Sequence, residues 1–165
     1  MKVYVSTYSN YNSGNLKGEW VYLENFNSQE EFLDYCISLF EDEEDDIELM
    51  FQDKDSDVPD WAYSKYEIDK NLWEYLSLSD EDKLKVNFLY EYLSYDIEEA
   101  LRVYDNVTFY GNMTLKEVAE ELVDEGIFGD VSDKLKYYID FEKLAKDLEL
   151  DDYYETPDGV FLMNY

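Results

Sequence analysis

The chain sets 42 Asp and Glu against 13 Lys and Arg over 165 residues, a formal net charge of −29. Unpaired carboxylates cannot be buried without a large desolvation cost. Every element of the fold must therefore be one-sided, with acid outside and a separate apolar stripe inside. Charge at this density and a mean hydropathy of −0.58 border on the composition of disordered chains. The aromatic content argues otherwise: 18 Tyr, 9 Phe and 3 Trp bring large rings that pack as apolar groups. A folded α+β protein is expected, with negative charge as its dominant surface property.

That charge excludes several functions. An acidic field repels phosphates and anionic lipid surfaces, so nucleic-acid and membrane binding are not expected. There is no His and one Cys. This removes His-based relays, Ser-His-Asp triads, His-ligated zinc and any internal disulfide. No stretch is apolar enough for a membrane span or a secretion signal, and a cytoplasmic protein is expected.

The acid is unevenly spread. Residues 1–23 carry a net +1, residues 24–60 a net −14, residues 61–105 a net −6 and residues 106–165 a net −10. The densest run is Glu41-Asp42-Glu43-Glu44-Asp45-Asp46, followed by Asp53, Asp55, Asp57 and Asp60. Like charges so close destabilise the compact state. Solubility needs a net charge of only about 2–8 in a small domain. The excess points to a task for the charge itself. With 12 of the 13 bases Lys and many aromatics, mimicry of a polyanion fits better than halophilic adaptation.

Periodicity divides the chain into three expected subdomains. The first, 1–60, has strands at 2–8, 19–25 and 47–52, a long loop at 9–18, and a helix from the Ser28-Gln29-Glu30-Glu31 capping box to about Phe40. Phe32, Leu33, Cys36, Ile37 and Phe40 form the inner face of that helix, and Cys36 reads as a core residue. The second, 61–105, is helical: 67–76 with Ile68, Leu72, Trp73 and Leu76; 79–93 with Leu84, Phe88, Leu89 and Tyr92; and a short helix opening at Asp96. The third, 106–165, has a strand at 106–110, a helix from Thr114 to Gly126, a helix near 139–148, and a terminal hairpin turning at Pro157-Asp158-Gly159.

No catalytic or cofactor constellation stands out. Asp53-Lys54-Asp55-Ser56-Asp57 has the alternation of a calcium loop. However, Val58 replaces the required Gly, and Ser64 the bidentate Glu. With so many acids, carboxylate pairs occur at every spacing and single out no glycosidase or Mg²⁺ site. No phosphate loop or nucleophile elbow is present. No enzyme activity, cofactor or metal is expected.

Two strings carry a family resemblance. Tyr11-Asn12-Ser13-Gly14-Asn15-Leu16-Lys17-Gly18-Glu19-Trp20 resembles the Y-N-x-G-x-L-x-G-x-W opening of the ArdA antirestriction proteins. The segment from Tyr138, Ile139 and Asp140 through Ala145, Asp147 and Leu148 resembles that family's Y-I-D-[YF]-E-x-x-A-[RK]-D-L-E string. The resemblance implies an elongated homodimer, carried by mobile genetic elements. Such proteins mimic B-DNA and occupy the DNA-binding channel of type I restriction–modification enzymes, on the methyltransferase core with its specificity subunit. On that reading the phosphate mimics are the acids of 41–60 together with Asp80, Glu81, Asp82, Glu91, Glu98 and Glu99. The strand residues Val107, Phe109 and Tyr110 are candidates for the dimer contact. A different class of function remains open: an acidic binding module or chaperone for another basic, nucleic-acid-binding protein.

Overall fold

A strand of alternating small apolar and polar residues, β1 (Lys2–Thr7), organises the first half of the chain. Val3 and Val5 point inward and are fully buried. β1 pairs antiparallel with β2 (Glu19–Tyr22) on one side and with β3 (Leu49–Lys54) on the other, giving the order β2-β1-β3. The computed structural model describes residues 1–42 and 46–164. Contacts divide the chain into two units, Met1–Leu78 and Ser79–Tyr165.

In the first unit, β1 leads straight into helix α1 (Tyr8–Ser13). A continuous loop at 9–18 was expected from the Asn, Ser and Gly content. Instead Thr7 caps this short helix by accepting from the Asn10 N–H, and Gly14 closes it in the left-handed conformation. Residues rich in turn signals thus supply both ends of a helix. Helix α2 (Gln29–Ser38) starts at Ser28, whose hydroxyl accepts from the Glu31 N–H at 3.2 Å. Its inner face holds Phe32 and Cys36, both fully buried, but Ile37 is exposed. Phe32 is the centre of an aromatic core. Its ring lies 5.8 Å from Phe51 on β3 and 5.5 Å from Trp73 on helix α3 (Leu72–Ser77). The expected helix at 67–76 starts only at Leu72, because Ile68 bridges back to Tyr63.

In the second unit, helices α4 (Asp80–Glu91) and α5 (Ile97–Val103) precede strand β4 (Val107–Gly111). Helices α6 (Leu115–Asp124), α7 (Asp133–Lys136) and α8 (Phe141–Leu148) follow. The chain then makes the hairpin of β5 (Tyr153–Thr156) and β6 (Gly159–Met163). The sheet order is β4-β6-β5, all antiparallel. Val160 packs with Leu115, Val118, Ala119 and Leu122 of α6 and with Ala145 and Leu148 of α8. Phe161 stacks on Phe88 of α4, ring centres 4.5 Å apart. Tyr92, expected on the inner face of α4, is exposed, while Val86 is fully buried. The short helix α7 had no counterpart in the sequence reading. Two small antiparallel sheets with helices make the α+β class that periodicity indicated.

The helices expected at the middle of the chain are shared between the units: α3 belongs to the first, α4 and α5 to the second.

Candidate functional site

Among the described residues the buried polar groups are Ser6, Thr7 and Asn10, and no Asp, Glu, Lys or Arg is buried. The described part of the acidic surplus therefore lies at least partly at the surface. The acids do not all carry the same task.

Some are tied into the fold. Asp55 accepts the Lys2 N–H at 3.1 Å and its own N–H donates to the Lys2 carbonyl at 3.0 Å, fastening the loop after β3 to the start of β1. Asp60 pairs with Lys54 at 2.8 Å, and that ammonium holds the Asp60 carboxyl below its usual range. Asp42 pairs with Lys17 at 2.6 Å, with the same effect on its carboxyl. In α4, Lys85 reaches Glu81 at 2.9 Å and Asp82 at 3.5 Å. Asp82 also accepts from the hydroxyl of the capping Ser79 at 2.7 Å. Partial burial works against the charge of Lys85, but the two carboxylates outweigh it and raise the amine above its ordinary value. In α5, Glu99 pairs with Arg102 at 3.1 Å. Asp96 caps that helix by accepting from the Glu99 N–H at 2.8 Å.

The rest of the predicted set stands more openly. Glu41, Asp46, Asp53, Asp57, Asp80, Glu91 and Glu98 are exposed and have no ion-pair partner among the described residues. Asp53 lies on β3, where its carboxylate accepts from the Lys54 N–H at 2.9 Å. Glu43, Glu44 and Asp45 fall outside the described residues. Glu91 is the last residue of α4, where helix carbonyls already project negative charge. No base lies in that last turn. Folding alone disfavours an acid there.

One part of the acidic surface was not singled out from the sequence. Glu120, Asp124 and Asp133 line an open cleft of about 640 Å³ with Lys136, Tyr137, Ile139 and Phe141. Lys136 bridges Asp124 at 2.5 Å and Asp133 at 3.9 Å. The available signal was the i,i+4 spacing of Glu120 and Asp124 on the polar side of α6. Among the described residues no group of three or more His, Cys, Asp or Glu is arranged to hold a metal ion. Cys36 is fully buried, and burial pushes its thiol up to about 12.

The two motif strings have different structural tasks. In the first, Gly14 ends α1, and Gly18 leaves room for the Tyr4 ring, which a Cβ would meet at 2.6 Å. Tyr11, Leu16 and Trp20 of that string are exposed. In the second, Asp140 caps α8 by accepting from the Lys143 N–H at 3.0 Å. Ala145 and Leu148 enter the core, Ile139 is half-buried, and Tyr138 and Asp147 face solvent. The dimer candidates lie on β4, an edge strand of its sheet. Val107 is buried within its own unit, and Phe109 stacks on Phe161 at 4.7 Å.

Fold and surface together define a small α+β protein whose concentrated chemistry is a field of exposed carboxylates. Residues 3–162 match the family model described as antirestriction protein (ArdA), and the chain belongs to that family. Comparison with curated proteins gave no match. Family membership implies an antirestriction role, directed at restriction enzymes. No described helix is long and apolar enough to cross a membrane.

Proposed function

We propose that this ArdA protein acts as a DNA mimic. It occupies the DNA-binding channel of a type I restriction–modification enzyme, on the methyltransferase core and its specificity subunit, and inhibits it without catalysis. The observation that carries this reading is the exposure of the acids: among the described residues no Asp or Glu is buried as a whole, and only one carboxylate oxygen, Asp55 Oδ1, is buried without a partner. B-DNA presents one charge per ~1.7 Å of axis. A net charge of −29 therefore equals the charge of about 50 Å of duplex, or roughly 15 base pairs. A homodimer would double that length. The exposed acids without internal cations, Asp46, Asp53, Asp57, Asp80, Glu91 and Glu98 among them, stand in for phosphates. Those already paired, such as Asp42 and Asp60, must exchange partners to do so.

A dimer contact through β4 would use the open edge of the strand more than the Val107 side chain, which is already buried. Such a protein works where the restriction enzyme works, in the cytoplasm. The decisive experiment titrates the protein into a type I methyltransferase–DNA complex at physiological salt. Stoichiometric release of DNA is expected, with a steep loss of potency as salt rises. Retention of DNA at saturating protein would refute the proposal.

A further inference from the structure

In a chain with 42 acids and 13 bases, the place of each base matters, because each cancels one charge of the acidic field. Among the described Lys and Arg that form ion pairs, Lys85 has the least exposed side chain, at 15%. Its ammonium reaches Glu81 Oε1 at 2.9 Å and Asp82 Oδ1 at 3.5 Å, one turn back along α4. Asp82 is held a second time: the Ser79 hydroxyl donates to its Oδ2 at 2.7 Å. Both acids are nonetheless more open to water than the amine, Glu81 at 58% and Asp82 at 29%. The ammonium therefore lies deeper than the carboxylates it holds.

Helix stability alone does not call for this arrangement. Asp80, Glu81 and Asp82 fill the first turn of α4, where the helix dipole already favours acids. A pair at this spacing adds little to a helix, and an amine drawn out of water must first lose hydration. What the arrangement does fix is where negative charge is presented. Two carboxylates on one ammonium carry a net charge of −1, as one phosphate does. DNA holds its phosphates on a stiff backbone, whereas a free Glu side chain must be ordered when it binds. We infer that Lys85 is a positioning residue, whose ammonium pins Glu81 and Asp82 in one geometry so that the pair meets a cationic side chain of the restriction enzyme already ordered. This inference rests on the inhibitor reading above. Lys85 bonds Glu81 through Oε1, which leaves Oε2 to accept from the enzyme without a change of partner. Charge counting alone makes the opposite prediction: Lys85 subtracts from the field, and its removal should strengthen binding.

Two variants that each lose one positive charge separate positioning from charge counting. Lys85→Met keeps the apolar stem and removes the ammonium. Lys143→Gln removes the same unit charge from an exposed Lys that has no ion-pair partner among the described residues. Displacement of DNA from a type I methyltransferase is titrated for both, with the fold checked by circular dichroism. Lys143→Gln should inhibit as well as wild type or up to about fivefold better. Lys85→Met should inhibit about three- to tenfold worse despite its extra negative charge, and Lys85→Arg should recover most of that loss. A folded Lys85→Met protein that inhibits as well as wild type, or better, would overturn the inference and leave the inhibitor reading intact. If Lys85→Met does not fold, Glu81→Gln/Asp82→Asn decides, since its amides can still accept from Lys85. It removes two charges, as does Asp80→Asn/Glu98→Gln at two acids without ion-pair partners among the described residues. Positioning requires the pinned pair to lose about threefold or more beyond the other double variant, and equal losses would overturn it. A wild type that releases no DNA would remove both this inference and the inhibitor reading.

Discussion

Glu91 and Glu98 separate folding from binding, because the same chemical change should move stability in opposite directions at the two positions. Glu91 ends α4, where the helix dipole is negative, and Glu98 sits in the first turn of α5, where it is positive. Both are exposed and neither has an ion-pair partner among the described residues. A carboxylate at either end of a helix is worth about 0.3–1 kcal/mol at low ionic strength, unfavourable at the C-terminus and favourable at the N-terminus. Glu91→Gln should therefore stabilise the second unit and Glu98→Gln destabilise it by similar amounts. In a unit of this size that is a shift of roughly 2–6 °C in melting temperature, up for the first and down for the second. Binding should behave differently. Each substitution removes one exposed carboxylate from the field, and each should weaken DNA displacement by up to about fivefold, the scale of a single exposed ion pair. Thermal melts at low salt and displacement titrations of the same preparations read the two effects. If Glu91→Gln melts higher and inhibits as well as wild type, Glu91 is not a phosphate mimic. If it melts lower, the dipole argument is wrong.

Four further outcomes are expected. Inhibition should stay nearly constant from pH 6 to 8, because no His titrates there. It should then collapse as the pH approaches the sequence pI of about 4.1. Asp42 and Asp60 add to stability in the same direction. Lys17 and Lys54 hold their folded values below the ordinary 3.8, so their contribution is present above that value and lost as pH falls through the lowered one. Lys17→Gln should bring acid unfolding in melts to a slightly higher pH. Cys36, with its thiol pushed up to about 12 by burial, should resist a thiol reagent at pH 8 in the native protein and react rapidly in denaturant. Gly159→Ala should destabilise the terminal hairpin by a few kcal/mol, seen as a lowered denaturant midpoint. Gly159 has φ +138°, and a Cβ there would meet the Tyr110 carbonyl at 2.4 Å. An unchanged midpoint would count against the β4–β6 pairing at that corner.

Legibility from the sequence followed the strength of local signals. Ser28, Ser79, Asp96 and Thr114 mark helix starts by chemistry that acts within three residues, and all four cap helices. The Pro157-Asp158-Gly159 turn is equally local. The alternation of 2–7 gave β1 its inward valines. Helix α1 was not legible, because Asn, Ser and Gly favour loops and helix caps alike. Only the seating of Thr7 and Gly14 at its two ends resolves which. Ile37 and Tyr92 were misplaced for another reason. Helical spacing names an apolar stripe but not its width, and short helices packed on small sheets bury a narrow one. For the candidate surface, the sequence named the acids but not which of them already have partners. Pairs such as Asp42 with Lys17 join residues 25 positions apart, and no local pattern shows that.

The aromatic content and the acid content have one physical origin. A chain that displays this much negative charge must offset its self-repulsion with apolar burial. Each unit is small, and aromatic rings bury the most area per residue. The chain accordingly fills its cores with packed rings: Phe32 against Phe51 and Trp73 in one unit, Phe161 against Phe88 and Phe109 in the other. This sets a bound on further charging. Adding acids to the outward faces should remain tolerable only while those packed rings are intact. Phe161→Leu, a mild change in most cores, should then lower the melting temperature more at low salt than at high salt, because salt screens the repulsion that the core opposes. An equal loss at both ionic strengths would mean that the rings serve packing alone and that the charge places no load on the fold.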